Sequence, residues 1–154
     1  MIMTESAVES VGLTPILIVD DDVEDVHFIK RAFKKNKVVN PLFSVLSGEE
    51  ALEFLQRTQH DHADYPGLML LDLNMPGVGG METLHRIKQH AEWRKIPVVV
   101  FTTSKAQEDI DTSYQLGANS FVSKPFGLEG LVGVVAHICQ YWFSVSALPS
   151  TSNE

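Results

Sequence analysis

Five residues that could take part in metal or phosphoryl chemistry come directly after short runs typical of strands. These residues are Asp20, Asp21, Asp72, Thr102 and Lys124. Each has an ordinary alternative, because an Asp after a strand is often only a helix cap and a Lys there is usually a solvated charge. Such residues at four expected strand ends are much harder to attribute to chance. The pattern therefore favours one site that contains all five.

The residue types suit phosphoryl transfer. Three carboxylates held close together repel one another, so they are tolerable only where cations share the site. Mg²⁺ prefers oxygen ligands and keeps several waters, which suits two or three carboxylates. A metal ion and one ammonium group together would offset the charge of an incoming phosphoryl group. A carboxylate could then act as nucleophile and form an aspartyl phosphate, and the hydroxyl of Thr102 could bond a phosphoryl oxygen.

The runs that precede these residues predict the framework. Unbroken apolar stretches indicate strands buried on both faces of a parallel sheet. Strands are expected at residues 15–19, 42–46, 68–71, 97–101 and 120–123. Helices are expected at residues 23–33, 48–55, 81–90, 105–116 and 127–145. This alternation predicts an α/β, doubly wound sheet covered on both sides, with its functional site at the carboxyl ends of the strands.

Local signals mark several boundaries. Ser47 is expected to cap the second helix, with Glu50 at the capping-box spacing, and Gly117 is expected to end the fourth helix. Residues 56–67 are polar and end in Pro and Gly, which is typical of a surface loop. We expect one domain at residues 15–145, with flexible segments at residues 1–14 and 146–154.

Composition excludes several classes of protein. The 154-residue chain has a formal net charge of -8 and 44% hydrophobic residues, which fits one globular domain with one core. The negative charge argues against a nucleic-acid partner. No run approaches the roughly 18 apolar residues of a membrane span, and the start lacks a secretory signal pattern. We therefore expect a cytoplasmic protein without a membrane partner. The single cysteine, Cys139, is expected to be a buried structural thiol.

Four segments together resemble the receiver domain of two-component response regulators. They are Ile-Val-Asp-Asp-Asp at 18–22, Leu-Asp-Leu-Asn-Met-Pro-Gly at 71–77, Val-Phe-Thr-Thr-Ser at 100–104, and Gly-Ala-Asn-Ser-Phe-Val-Ser-Lys-Pro-Phe at 117–126. The similarity covers about residues 15–142. It implies a flavodoxin-like, five-stranded parallel sheet of order 2-1-3-4-5 with five helices. It also implies a phosphoprotein that accepts a phosphoryl group from a sensor histidine kinase in a phosphorelay.

The same resemblance implies roles for the acidic residues. Asp72 would be the phosphoacceptor. Asp20, Asp21, Asp72 and the backbone carbonyl of Asn74 would bind Mg²⁺ or Mn²⁺. The chain would be a switch rather than an enzyme, with at most its own autophosphorylation and autodephosphorylation chemistry.

The resemblance also implies a switching mechanism. Thr102 and Lys124 would contact the phosphoryl group, and Phe121 would be the aromatic switch that changes rotamer on activation. Phe121 lacks the hydroxyl of the more usual Tyr, so it would act through packing alone. Thr103 is bulkier than the Ala or Gly often found there and would narrow access to the phosphoryl group. The loop at residues 56–67 is longer than in a minimal receiver.

A narrower resemblance rests on that loop, on Thr-Thr-Ser at 102–104 and on Tyr-Trp-Phe at 141–143. These features resemble stand-alone response regulators that partner bacterial and cyanobacterial phytochrome histidine kinases. A phytochrome-type kinase is the implied partner, and it would dock on the first helix and the loop after the fifth strand. Too few residues follow residue 145 for an output domain, so we expect the receiver's own surface to pass the signal on.

Three alternative classes are less consistent with the residues. A phosphatase with a strand-end Asp nucleophile needs a second carboxylate two residues later, where this chain has Asn74. A flavin-binding electron carrier would need a Gly- and hydroxyl-rich loop after the first strand, where the acidic residues 20–22 would repel the flavin phosphate. A purely structural relative of receivers should have lost Asp72 or Lys124.

The last helix carries more apolar surface than one sheet face requires. At about 100° per residue, one stripe should pack on the sheet: Leu131, Val135, Ile138 and Trp142. Its flanks are also apolar: Val132 and Cys139 on one side, and Val134, Tyr141 and Val145 on the other. The arc reaches roughly 200°, whereas a little over about 100° suffices to cover a sheet. We expect the excess to form an isologous homodimer. The alternative is packing under the preceding helix.

Overall fold

The computed structural model describes residues 13–60 and 63–145, so most of the expected flexible segments, residues 1–12 and 146–154, lie outside the described residues. Five parallel strands form one sheet in the order β2-β1-β3-β4-β5. They are β1 (Ile16–Val19), β2 (Leu42–Val45), β3 (Leu68–Leu71), β4 (Val98–Thr102) and β5 (Ser120–Ser123). The predicted fold class and strand order are confirmed.

Helices connect the strands. They are α1 (Val23–Lys35), α2 (Gly48–Thr58), α3 (Gly80–Gln89), α4 (Gln107–Gln115) and α5 (Leu128–Gln140). A 3₁₀ turn at Trp93–Lys95 was not predicted, and the last helix ends in a π-helical turn at Tyr141–Val145 rather than continuing as α-helix. None of the described helices is long and apolar enough to cross a membrane.

The sheet separates two apolar layers. Leu17, Met69 and Val100 belong to the layer covered by α2 and α3, and their neighbours Ile18 and Leu70 belong to the layer covered by α1 and α5. The single core expected from the length is therefore two layers, because both faces of a parallel sheet are covered by helices.

Helix ends follow the predicted signals with small differences. The hydroxyl of Ser47 accepts a hydrogen bond from the Glu50 amide, and the Glu50 carboxylate accepts one from the Leu46 amide at 2.8 Å. In a capping box the Glu50 carboxylate would accept from the amide of the cap residue, Ser47, but here it accepts from the residue before it, Leu46. Gly117 follows α4 with a φ of 109°, in the left-handed region that favours glycine.

The surface loop predicted at residues 56–67 is shorter than expected. Its first three residues complete α2, and the Thr58 hydroxyl donates to the Phe54 carbonyl at 2.7 Å. Its last residues are buried, and the Gly67 amide donates to the Pro15 carbonyl at 3.0 Å. They are buried because they lead directly into β3, a strand inside the sheet.

The predicted inner stripe of α5 is buried against the sheet. The helix beside it is α1, and the side-chain amide of the following residue, Asn36, donates a hydrogen bond to the Val132 carbonyl at 3.0 Å. The preceding helix, α4, contacts α3 through Ser113 and Met81. Cys139 is only partly buried, and burial raises the pKa of its thiol to about 11.

Candidate functional site

Strand register brings the acidic residues together. Val19 of β1 is paired with Leu71 of β3, so the next residues, Asp20 and Asp72, leave the sheet side by side. The Asp72 amide donates to the Val19 carbonyl at 2.9 Å, which extends the ladder by one step. Because β1 and β3 are interior strands of a parallel sheet, both aspartates follow fully buried backbone.

The loop after β3 is held tightly against the site. A Cβ atom on Gly80 would lie 2.3 Å from the Asp72 carbonyl oxygen and 2.5 Å from the Leu73 Cα, so only glycine fits there. On the other side, Asp22 caps α1 by accepting hydrogen bonds from the amides of Glu24 and Asp25. These two local devices fix the loops that carry Asp21 and Asn74.

Three acidic side chains form a candidate cation site. One oxygen atom from each of Asp20, Asp21 and Asp72 lies within 4.8 Å of the others. The side chains of Asp20 and Asp72 are 2% and 8% exposed, whereas Asp21 is exposed. Carboxylate oxygens are the ligands that Mg²⁺ and Mn²⁺ prefer, and a partly open cluster leaves room for water and substrate oxygens. The donor set therefore fits a hard divalent cation.

Lys124 supplies the positive charge of the site. Its ammonium donates to Asp20 Oδ2 at 2.5 Å, to Asp25 Oδ2 at 3.0 Å and to Asp72 Oδ2 at 3.4 Å. The Lys124 amide donates to the Thr102 carbonyl at 2.8 Å, which places this residue at the end of β5 beside β4. The sequence prediction that these strand ends meet is confirmed.

The charges do not balance. Burial raises the pKa of Asp20 above its ordinary value, and the hydrogen bond from Lys124 only partly opposes this. Burial alone would lower the pKa of Lys124, but the hydrogen bond and charge of Asp20 and the charge of Asp72 outweigh burial and raise it. One ammonium among several carboxylates leaves a net negative pocket, which favours a further cation.

Thr102 lies at the bottom of the site. It is fully buried, and its hydroxyl oxygen accepts a hydrogen bond from the side-chain amide of Asn74 at 3.2 Å. The Asn74 backbone amide donates to Asp72 Oδ1 at 3.3 Å. A hydroxyl can donate as well as accept, so Thr102 can donate its proton to a new acceptor. Participation of the Asn74 carbonyl in metal binding stays a prediction.

Phe121 lies on the neighbouring strand. It is partly buried against the layer under α2 and α3, and its amide donates to the Tyr114 hydroxyl of α4 at 3.1 Å. Thr103 is exposed and lines a groove beside the site, so its side chain does not fill the acidic pocket. The two predicted switch residues, Thr102 and Phe121, therefore lie where the site meets α4.

Sequence reasoning missed the Tyr114 contact of Phe121 and two further contacts. Asp25 binds Lys124, and the only signal was its position one helical turn after Asp21. Ser104 donates to Asp109 Oδ2 at 2.6 Å and thereby ties the loop after Thr102 to the first turn of α4. A hydroxyl two residues after a strand and an acid in the following helix could have suggested this pair.

These features define a class of protein. Residues 16–136 match the response regulator receiver domain, so the chain belongs to this family. It is a receiver-domain response regulator of two-component signalling. Proteins of this family are phosphoacceptor switches rather than classical enzymes, and they bind divalent metal through an Asp cluster.

Phytochrome response regulators are among its most similar relatives. The response regulator Rcp1 of Synechocystis sp. is 35% identical over 136 residues, which cover 88% of this chain and 92% of Rcp1. The crystal structure of the phosphorylated cyanobacterial phytochrome response regulator RcpA has a TM-score of 0.82 and 35% identity, covering 90% of this chain and 100% of RcpA. The Mn²⁺-bound form of Rcp1 has a TM-score of 0.78 and 34% identity, covering 89% and 99%. The narrower resemblance is thereby confirmed.

Proposed function

We propose that Asp72 accepts a phosphoryl group in the presence of Mg²⁺ or Mn²⁺. The observation that carries this proposal is the position of Asp72 within both charge systems, the three-carboxylate cluster and the Lys124 ion pairs. Asp20, Asp21, Asp72 and the Asn74 backbone carbonyl would hold the cation. When bound, the cation would neutralise phosphoryl oxygens during transfer.

The chemistry is a substitution at phosphorus. An Asp72 carboxylate oxygen attacks the phosphorus of a phosphohistidine on a sensor kinase, and a P–O bond forms as the P–N bond breaks. The imidazole nitrogen keeps the electron pair and takes up a proton. Lys124 pairs with a phosphoryl oxygen and offsets its charge. The product is a mixed anhydride on Asp72, so the protein is the phosphoryl acceptor.

Thr102 and Phe121 would convert phosphorylation into a structural change. The Thr102 hydroxyl donates to a phosphoryl oxygen and moves toward it. Because Thr102 is fully buried, this movement opens space that neighbouring side chains must fill. Phe121 changes rotamer by packing alone, and its amide contact with Tyr114 transmits the change to α4.

Acetyl phosphate labelling tests the acceptor. Wild type should gain one phosphoryl group only with Mg²⁺ or Mn²⁺, and Asp72→Asn should gain none. Asp111→Asn is the matched control, because Asp111 lies on the exposed face of α4 and bonds Gln107. Full labelling of Asp72→Asn would contradict the assignment.

We propose a phytochrome-type histidine kinase as the phosphoryl donor. The similarity to Rcp1 and RcpA supports this partner. The docking surface would be the first turns of α1 and the loop after β5, where exposed Val23, Phe28 and Phe126 surround the site. A groove of about 420 Å³ lies between Phe28 and Phe126. Exposed apolar groups next to a reactive carboxylate fit a protein partner better than a small donor.

A charge placed on this surface tests docking. Phe126→Asp should slow transfer from the kinase at least tenfold, yet leave labelling by acetyl phosphate unchanged, because only the protein donor needs the apolar contact. Val39→Asp, at an exposed apolar position beyond the end of α1, is the control. Unchanged transfer to Phe126→Asp, or no transfer from any phytochrome kinase of the same cell, would contradict the partner.

We also propose a homodimer through α5. Val134 and Tyr141 line a groove of about 260 Å³ beside β5, the edge strand of the sheet, and Tyr141 is half exposed. The side chain of Val145 lies outside the described part of the chain. In sedimentation experiments the Val134→Asp, Tyr141→Asp double variant should be monomeric where wild type is dimeric. A wild type that stays monomeric at high micromolar concentration, with and without phosphorylation, would rule this out.

The proposal also covers the limits of the domain, its location and its output. The receiver would occupy residues 15–145, and the family match at residues 16–136 supports these limits. It would act in the cytoplasm, where it would meet the kinase, and would pass its signal through its own surface to a protein rather than to nucleic acid. The net charge of -8 supports that choice.

A further inference from the structure

We propose that Asp25 is a positioning residue that holds the Lys124 ammonium between phosphoryl transfers and releases it to the phosphoryl group on Asp72. The inference rests on the proposed function, because it concerns the steps before and after phosphorylation of the same carboxylate. It assigns a task to an acidic residue outside the predicted metal and phosphoacceptor set.

The hydrogen-bonding capacity of Lys124 is fully used. An ammonium group has three N–H donors, and Lys124 contacts three carboxylates, on Asp20, Asp25 and Asp72. A phosphoryl oxygen can therefore gain a hydrogen bond from Lys124 only if one of these carboxylates loses its own. The identity of that carboxylate decides how readily the site accepts a phosphoryl group.

Burial and geometry single out Asp25. Asp20 and Asp72 belong to the three-carboxylate cluster, whereas Asp25 does not. The side chain of Asp25 is 41% exposed, against 2% for Asp20 and 8% for Asp72. A carboxylate at the surface regains water when its partner leaves, whereas the buried Asp20, and Asp72 until it is phosphorylated, would be left as uncompensated charges. Asp25 is therefore the partner that Lys124 gives up most easily.

Loss of the Asp25 carboxylate should change the affinities for the divalent cation and for a phosphoryl group in opposite directions. In the resting state Asp25 shares the Lys124 ammonium. The ammonium therefore binds Asp20 and Asp72 less strongly, and the oxygens of these two residues are the ones that the divalent cation needs. Without the Asp25 carboxylate, Lys124 pairs with those two residues alone and competes harder with the cation. A phosphoryl group, in contrast, no longer competes with Asp25 for Lys124.

The Asp25→Asn variant tests this, with Mg²⁺ and beryllofluoride as probes measured by titration calorimetry. Because charge-assisted hydrogen bonds are about twice as strong as neutral ones, Mg²⁺ should bind about threefold to tenfold more weakly to the variant. For the same reason beryllofluoride, at saturating Mg²⁺, should bind about threefold to tenfold more tightly.

Glu24→Gln is the matched control. Glu24 lies exposed in the same first turn of α1 and is absent from the three described contacts of Lys124. The Glu24→Gln substitution removes the same charge from the same turn, and the affinities for Mg²⁺ and beryllofluoride should both stay within about twofold of wild type. Asp25→Glu, which keeps a carboxylate within reach, should restore both affinities toward wild type.

The outcomes separate the inference from the proposed function. Equal effects of Asp25→Asn and Glu24→Gln would overturn the inference, because the charge alone would explain them. Weaker binding of both probes would also overturn it, because that is the result of a structural defect. A wild type that binds neither Mg²⁺ nor beryllofluoride would overturn the proposed function itself.

Discussion

Replacing Lys124 by Met tests the electrostatic account of the site. The change removes the ammonium but keeps an unbranched side chain of similar length. Asp20 and Asp72 are then left as buried carboxylates without the cation that contacts both of them in the described structure. The metal-free variant should keep the fold but be markedly less stable, and it should bind Mg²⁺ more tightly, because the ammonium no longer occupies the same oxygens.

The magnitude follows from the geometry. At N–O distances of 2.5 and 3.4 Å, each pair attracts by roughly 5–7 kcal/mol at an effective dielectric constant of about 20. Desolvation of the ammonium offsets much of this. Removal of one partner from a buried pair costs about 3–5 kcal/mol, and that is the expected loss in the free energy of unfolding. A ligand at 100 times its Kd stabilises a protein by about 2.7 kcal/mol. Wild type gains from Mg²⁺ as well, so saturating Mg²⁺ should reduce the loss by RT ln of the ratio of the two affinities, because the variant binds the cation more tightly.

Urea unfolding with and without Mg²⁺ measures both effects. Lys95→Met is the control, because Lys95 pairs with Glu92 at 3.9 Å with both side chains more than half exposed. Such pairs contribute about 0–1 kcal/mol. A loss for Lys124→Met no larger than for the control, or a loss that Mg²⁺ does not reduce, would refute the reasoning.

Three further predictions follow from other parts of the structure. Thr102→Ala should still be phosphorylated, but amide NMR shifts around Phe121 on addition of beryllofluoride should be much smaller than in wild type; a wild-type response would refute the switch role. Gly80→Ala should cost about 1–3 kcal/mol because its Cβ meets the Asp72 carbonyl at 2.3 Å, whereas Gly133→Ala, with open space around it, should gain up to about 1 kcal/mol; equal effects would contradict the packing. Burial lowers the pKa of Lys88 from 10.5 to about 8, so between these values the unfolded chain binds more protons, and the stability of wild type relative to Lys88→Met should rise with pH; a flat difference across that range would contradict the shift.

The fold was predictable because each element carries its own signal. Unbroken apolar runs predicted β1, β3 and β4, and short stretches that include serine predicted β2 and β5. The polar residues after the strands predicted the edge where the site lies. The boundaries that were wrong depend on distant contacts. Residues 65–67 are polar or turn-forming in sequence, yet they are buried because they enter an interior strand. The turn at Trp93–Lys95 depends on the His90 ring, which accepts from the Glu92 and Trp93 amides.

Prediction of the site was limited by side-chain direction. Residues that follow strands were placed correctly, because parallel strands in register end at one edge. Asp25 and Tyr114 were missed, because they reach the site from helices. Whether a helical side chain reaches Lys124 or Phe121 depends on how the helix packs on the sheet, and the apolar spacing of α1 or α4 alone does not fix that distance.

Reductive trapping tests the central claim, phosphorylation of Asp72, most directly. Borohydride converts an aspartyl phosphate to homoserine, and peptide mass spectrometry then locates the modified residue. After incubation with acetyl phosphate, homoserine should be found at position 72 alone, and only in samples that contain Mg²⁺ or Mn²⁺. Homoserine at position 20 or 21, or modification at position 72 that is equal without the cation, would contradict the account.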